Sequence, residues 1–408
     1  MAGFDRTRLE RLADALIAAV AVSLPWSTSA TGILLALWLL VLIPTLQWSE
    51  LQRELLTAAG GLPLLLVLLG VLGMLWADVS LAERWGGLGS FLKLLAIPLL
   101  FVQFRRSERA DWVFGGYAVS CLLLLLLSFV LALWPHPLFL FSRDFGVPVK
   151  NAASQSGEFA TCIFGFLFLC REAALRRQWL WLAGLLAAGV GMLANIFFVA
   201  TGRTALVVIL VLLLLFALKQ LSPRGIALLL AGAVAVGAVA WVSSPYLRKR
   251  TETVWTDLQR YEATDRSNSS GERVEFAKKS IAFIGEAPVI GHGTGTIRAL
   301  FARSAEGQTG AAGVAAANPH NQTFAVAIQL GLVGAAVLWA MWIAHLILFR
   351  GGGLAEWIGF LVVVQNIVGS LFNSHLFDFL QGWVYVLGVG VAGGIALKHR
   401  AAEKRGAP

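Results

Sequence analysis

The sequence predicts an all-α, polytopic membrane protein, and three observations carry that expectation. Of its 408 residues, 58% are hydrophobic and only 13% charged, with a mean hydropathy of +0.76; so little polar surface cannot cover a soluble domain of this size. The apolar residues gather into runs of about 17 to 25, the length at which a helix crosses hydrocarbon. A backbone in lipid must also satisfy its own hydrogen bonds, which a helix does.

In chain order, Arg6, Arg8 and Arg11 precede an apolar run from Ala13 to about Leu24. A second run from Gly32 to Leu46 follows almost at once, so the first is read as an uncleaved span rather than a signal peptide. Further runs lie near 61–77, 88–104, 112–134, 158–170, 179–200, 204–218, 225–243, 323–349, 354–372 and 380–397. The count is about twelve transmembrane helices, the shortest near 158 and 204. Three units follow: residues 1–243 with spans one to nine, a long polar and largely helical loop over 244–322, and residues 323–408 with the last three spans and a basic tail.

The net charge of +9 is scattered in short clusters between apolar runs, which points to topology and not to nucleic acid. With the N-terminus cytoplasmic, the inside loops hold Arg53, Arg105, Arg106, Arg109, Arg171, Arg176, Arg177, Lys219, Arg224 and Arg350, and the tail adds Lys398, Arg400, Lys404 and Arg405. The short outside loops hold only Arg84, Arg143, Lys150 and Arg203. This asymmetry is the one the positive-inside rule predicts; both termini are then cytoplasmic and the 244–322 loop faces outward. Cys121, Cys162 and Cys170 all lie in apolar runs and read as packing residues.

Four places on the outward side carry chemistry worth weighing. Thr201-Gly202-Arg203 is so short a turn that Arg203 sits at the membrane boundary, either snorkelling to headgroups or meeting an anionic ligand. Ser269 and Glu272 fit a capping box, which puts Arg273 in the first turn of an amphipathic helix ending near Gly285 and Pro288. There Arg273 either serves an anion near the helix start or pairs with Glu272 or Glu275. The glycine-rich Gly291-His292-Gly293-Thr294-Gly295 lacks the Lys-Ser/Thr of a phosphate loop and follows no strand, so it reads as a tight connection back to the membrane. Last, Asn318-Pro319-His320-Asn321 sets a histidine at the outer boundary, where it titrates near neutral pH and can act as a base. The bland reading, a hydrogen-bonded structural histidine, is applied to His136, His292, His345 and His399.

These residues resemble the bacterial O-antigen ligase and polymerase superfamily, and most closely the O-antigen ligases. The likeness rests on Phe198-Val199-Ala200-Thr201-Gly202-Arg203, on Arg273-Val274-Glu275-Phe276 leading to Pro288-Val289-Ile290-Gly291-His292-Gly293-Thr294-Gly295, and on Pro319-His320-Asn321 followed by Gly331-Leu332-Val333-Gly334. It implies a GT-C-like fold in the inner membrane and a metal-independent, inverting glycosyl transfer on the periplasmic face, with no cofactor. The implied donor is a polysaccharide on undecaprenyl pyrophosphate, and the implied acceptor a sugar hydroxyl of lipid A-core. Carried onto this chain, Arg203 and Arg273 match the family's essential arginines and His320 its essential histidine. Asn318 and Asn321 are expected at the substrate beside them, and Asp378 matches an acidic residue after the penultimate span.

The chemistry of the residue types agrees. A leaving diphosphate gathers charge that a planar, permanently ionised guanidinium binds in pairs of oxygens, and a neutral imidazole takes the proton of an attacking hydroxyl. No outward loop carries an Asp-x-Asp pair to hold a divalent metal. A polymerase of the superfamily is expected to show two substantial basic outer loops, whereas residues 135–158 offer only Arg143 and Lys150. A protein-glycosylating relative carries the expectation of an extra C-terminal domain. A transporter places ionisable groups near the midplane, where Lys93 is nearly alone here.

Overall fold

The computed structural model describes residues 6–134, 145–264 and 268–406. His136, Arg143 and Arg266 lie outside the described residues. Seventeen α-helices run through them, and no strand occurs among the described residues. The first half comprises α1 (Arg6–Ser23), α2 (Thr28–Leu42), α3 (Trp48–Leu55), α4 (Ala58–Gly73), α5 (Leu81–Leu92), α6 (Ala96–Arg106), α7 (Ala110–Leu133), α8 (Ala152–Leu175) and α9 (Trp179–Phe198). Then follow α10 (Arg203–Gln220), α11 (Pro223–Ser243), α12 (Pro245–Thr264), α13 (Ser269–Glu286), α14 (Ile297–Ala305), α15 (Gln322–Leu348), α16 (Leu354–Ser370) and α17 (Phe379–Gly406).

Each of the twelve expected spans falls on a helix. Among the described residues, eight are long and apolar enough to cross a membrane, and α3 with α4, bent by 86°, makes a ninth. The others are α1, α8 and the shorter apolar α16. α5 and α6 form one span, Leu81–Arg106, interrupted by a single 3₁₀ turn at Lys93–Leu95.

Two apolar cores hold the bundle. One joins α1, α4, α5, α6, α15 and α17 around Ile17, Phe91, Phe101, Phe104, Trp342 and Tyr385. The other joins α7, α8, α9, α10 and α16 around Phe159, Phe164, Met192 and Trp357. A third and smaller core, with Phe276, Phe283, Phe301, Ala325 and Ile328, seats the polar segment α13–α14 on the start of α15.

The bundle's two ends differ. At one, acidic side chains are buried among arginines: Glu54 pairs with Arg105 at 2.6 Å and Arg53 at 3.0 Å, and Asp14 takes hydrogen bonds from Gln103, Ser107 and Arg109. The other end carries the α12–α14 segment.

A break in α15 explains two of the glycine motifs. Gly331 has φ 64° and ψ −166°, outside helical geometry, and such a break orphans backbone groups that must find partners. The glycine-rich turn supplies them. His292 and Gly293 N–H donate to the Ile328 and Gln329 carbonyls, both at 2.9 Å, while Leu332 and Val333 N–H donate to the Pro288 and Val289 carbonyls. A Cβ on Gly331 would lie 2.1 Å from the Val289 oxygen, and one on Gly291 2.5 Å from the Gln329 carbonyl carbon. Thr294 and Gly295 N–H are also spent, on the Gly73 carbonyl and on Gln329 Oε1. Four consecutive amides therefore bond protein oxygens and none is left to cradle phosphate, in keeping with a tight structural connection.

Candidate functional site

Thr201-Gly202-Arg203 is a turn in which each residue has a job. The Thr201 hydroxyl donates to the Ile196 carbonyl at 2.7 Å and closes α9. Gly202 lies so close to α8 that a Cβ would sit 2.1 Å from Ser156 Oγ. Arg203 then opens α10, and its Nη2 reaches Ser269 Oγ at 2.9 Å. The turn thus leans a guanidinium over the start of α13.

The start of α13 differs from the capping box expected for Ser269 and Glu272. Asn268 is the N-cap, its Oδ1 accepting the Ser270 and Gly271 N–H groups, because a short carboxamide oxygen reaches both. Ser269 is released to meet Arg203, and Arg273 falls one turn further in. Glu275 is taken by Lys278, at 2.7 Å, and by the Tyr261 hydroxyl, so it is not the partner of Arg273. Arg273 is solvent-accessible, yet burial first and the nearby Arg203 charge second make its protonation less favourable than in water. An arginine starts so far above neutral that it stays a cation.

His320 sits where the backbone is strained. Its φ is 55°, the left-handed region that side chains other than glycine avoid. Asn318 Oδ1 accepts the His320 N–H at 2.9 Å and holds it there. Phe276, three residues after Arg273 on the same face of α13, stacks against the imidazole with centroids 6.0 Å apart.

The ring is also held edge-on. His320 Nδ1 lies 3.0 Å from Asn373 Oδ1, which also accepts Asn318 Nδ2–H at 2.9 Å. Asn373 Nδ2 donates to Asp378 Oδ2 at 2.6 Å, and Ser374 Oγ donates to Asn318 Oδ1 at 2.7 Å. The carboxylate of Asp378 thereby decides which way the Asn373 amide faces. An amide oxygen accepts only, so Nδ1 carries the proton and Nε2 keeps its lone pair. Burial, and after it Arg273, push the His320 pKa below the ordinary value, with the Asn373 bond and Glu272 pulling the other way. The ring is thus a neutral base at pH 7. Burial raises the Asp378 carboxyl to about 6 against the opposing charge of Lys93.

A cavity of about 120 Å³ brings these elements together, lined by Arg273, His320, Thr204, Gln365, Asn373, His375 and Gln381 among others. Arg203 lies at its margin, next to Thr204 and within electrostatic reach of Arg273. Of the three expected catalytic residues, Arg273 and His320 therefore share one cavity and Arg203 stands at its margin, although they come from three stretches of the chain. Asn318, Asn321 and Asp378, expected at the substrate, are engaged within the protein: Asn321 caps α15 through the Phe324 N–H, while Asn318 and Asp378 brace Asn373.

Asn373, His375, Gln365 and Gln381 were not singled out from sequence. The signals were there: Asn373, Ser374, His375 and Asp378 are polar residues crowded into one short connection, and Gln365 and Gln381 interrupt apolar runs. Burial pushes His375 down to about 4. His292, His345 and His399 lie outside the cavity lining. His345 has both ring nitrogens bonded, to the Tyr385 hydroxyl and the Ala59 carbonyl; His292 bonds the Phe283 carbonyl; His399, exposed, lies 3.8 Å from Glu356.

Among known proteins, residues 187–340 match a family model described as O-antigen ligase. No curated protein matches the chain.

Proposed function

We propose, for a multi-pass membrane chain whose residues 187–340 belong to the O-antigen ligase family, that it joins a lipid-linked O-antigen polysaccharide to lipid A-core. The donor is the polysaccharide on undecaprenyl pyrophosphate and the acceptor a core sugar hydroxyl. The protein lies in the bacterial inner membrane with both termini cytoplasmic and its site on the periplasmic face, the orientation favoured by the loop charges.

The observation that carries this reading is one cavity lined by both a guanidinium, that of Arg273, and an imidazole bonded through Nδ1, which leaves Nε2 as the base. In the proposed step, Nε2 of His320 takes the proton of the acceptor hydroxyl as its oxygen attacks the anomeric carbon. The bond from that carbon to the pyrophosphate oxygen breaks, and its electron pair leaves with undecaprenyl pyrophosphate. Arg273 and Arg203 meet the charge that gathers on the diphosphate. A single displacement inverts the anomeric centre, and the chemistry asks for a base and two cations but no metal.

A deletion strain should make core-lipid A without the polysaccharide ladder and accumulate the lipid-linked polymer; His320→Ala should reproduce this. A normal ladder from His320→Ala overturns the assignment of the base. Attachment of one repeat unit only, in the deletion strain, assigns the chain to polymerisation instead. With purified protein, transfer should survive EDTA; loss restored by Mg²⁺ or Mn²⁺ overturns the metal-independent step.

A further inference from the structure

Lys93 is a cation where cations are rarely placed, inside the Leu81–Arg106 span at its 3₁₀ interruption. Its Nζ donates to two backbone carbonyls almost three hundred residues away, Phe377 at 3.1 Å and Asp378 at 2.9 Å. These carbonyls close the 371–378 connection, the same one that presents Asn373 and Asp378 to His320. The fold leaves room for this reach: a Cβ on Gly382, one turn into α17, would lie 2.7 Å from Nζ. Phe91, two residues before Lys93, packs edge-on against Phe377 with centroids 4.8 Å apart.

The connection is pinned from the other side as well. Gln322 Oε1 accepts the Leu376 and Phe377 N–H groups at 3.0 and 3.2 Å, so its amides are fixed from α15 and its carbonyls from the 3₁₀ turn between α5 and α6. Lys93 also sits within electrostatic reach of the Asp378 carboxylate. From Nζ an unbroken chain of bonded groups leads to the carbonyl of Asp378, its carboxylate, the Asn373 amide and His320 Nδ1.

We infer that Lys93 is a positioning residue for the transfer reaction, acting from within the membrane span through Asp378 and Asn373 to hold His320 with its Nε2 lone pair toward the cavity. It touches neither substrate nor reacting atoms. Its two N–H donors fix where the Asp378 carboxylate stands; that carboxylate sets the face of the Asn373 amide, and the amide sets the tautomer of the base. The inference rests on the transfer reading for its kinetic consequence and on the bonding chain alone for its structural one.

The test uses the full-length purified protein with lipid-linked donor and lipid A-core acceptor. Lys93→Met should lower kcat by about tenfold to a hundredfold, the worth of hydrogen bonds from a charged donor, and leave the donor KM unchanged. Lys93→Arg, which keeps charge and donors, should recover most of that loss. Lys93→Met combined with Asp378→Asn should be no slower than the slower single variant, because both act through one chain. Independent losses that multiply, a wild-type kcat in Lys93→Met, or a loss confined to KM would each overturn the inference. Should Lys93→Met fail to accumulate, Lys93→Gln, with a shorter, uncharged amide in place of the ammonium, carries the same comparison.

A second readout needs no substrate. Diethyl pyrocarbonate modification of His320, measured by mass spectrometry against exposed His399 in the same molecule, should be faster in Lys93→Met, since a released ring offers both nitrogens. An unchanged ratio overturns the positioning role, whatever reaction the protein performs. If wild-type protein transfers nothing while the ratio does change, the functional reading fails and the bonding chain stands.

Discussion

The two ends of α15 each carry a histidine, and the contrast between them shows what makes one of them chemical. His345, near the C-terminal end, is fully buried and has both ring nitrogens bonded, one to a tyrosine hydroxyl and one to a backbone carbonyl. His320, two residues before the helix begins, is bonded through Nδ1 and lines a cavity that Arg273 also lines. Both rings are held in place, but only one has valence to spare. A residue with its whole hydrogen-bonding capacity spent is part of the scaffold; one left half-spent, at a strained backbone position among cations, can do work on a ligand.

The sharpest way to break this contrast is to remove each ring in turn. His320→Ala should cost about 10² to 10⁴ in transfer rate, the usual worth of a positioned base, without lowering the unfolding temperature in detergent. Arg273→Ala should cost about 10² to 10³, as loss of one preorganised cation at a developing oxyanion does, with Arg203→Ala below it because that side chain stands at the cavity margin. Purified-enzyme kinetics check all three.

Smaller effects sharpen the comparison. Asn373→Ala removes one hydrogen bond from the imidazole, worth about 1 kcal/mol or roughly fivefold in kcat. The pH profile follows from the neutral base. Protonation silences His320, so kcat/KM, which reports the base of the free enzyme, should rise with pH and level off, with its midpoint below the ordinary histidine value of 6.5 because burial and Arg273 disfavour the imidazolium. A midpoint above that value contradicts the arrangement. At the other end, His345→Leu should leave transfer per folded molecule unchanged and lower the unfolding temperature, since it strands the Ala59 carbonyl and the Tyr385 hydroxyl, at about 1 to 3 kcal/mol each.

The two glycine motifs teach the same distinction between spent and unspent groups. The amides of Gly291 to Gly295 look like an anion cradle in one dimension, but in three the break in α15 takes those of His292 and Gly293, while Ala287, Gly73 and the Gln329 side chain take the rest. Read alone, neither Gly291-His292-Gly293-Thr294-Gly295 nor Gly331-Leu332-Val333-Gly334 explains the other. Placed together, each is the hydrogen-bonding complement of the other, and Gly291 and Gly331 are required because a Cβ on either would enter the partner's backbone.

Composition and the spacing of apolar runs by themselves determined that this chain is a membrane helix bundle. Burial in lipid imposes a length and an apolarity that local sequence displays directly. The same local logic exposed Arg203 at a turn too short to leave the boundary, and His320 beside its proline. What only the tertiary structure decided is which groups remain free. The meeting of Arg203 with Ser269, the spending of Asn318 on Asn373, and the reach of Lys93 across almost three hundred residues are long-range contacts. No local pattern encodes them, because a hydrogen bond is satisfied by whatever stands within about 3 Å in space, and neighbours in space are set only once the helices have packed.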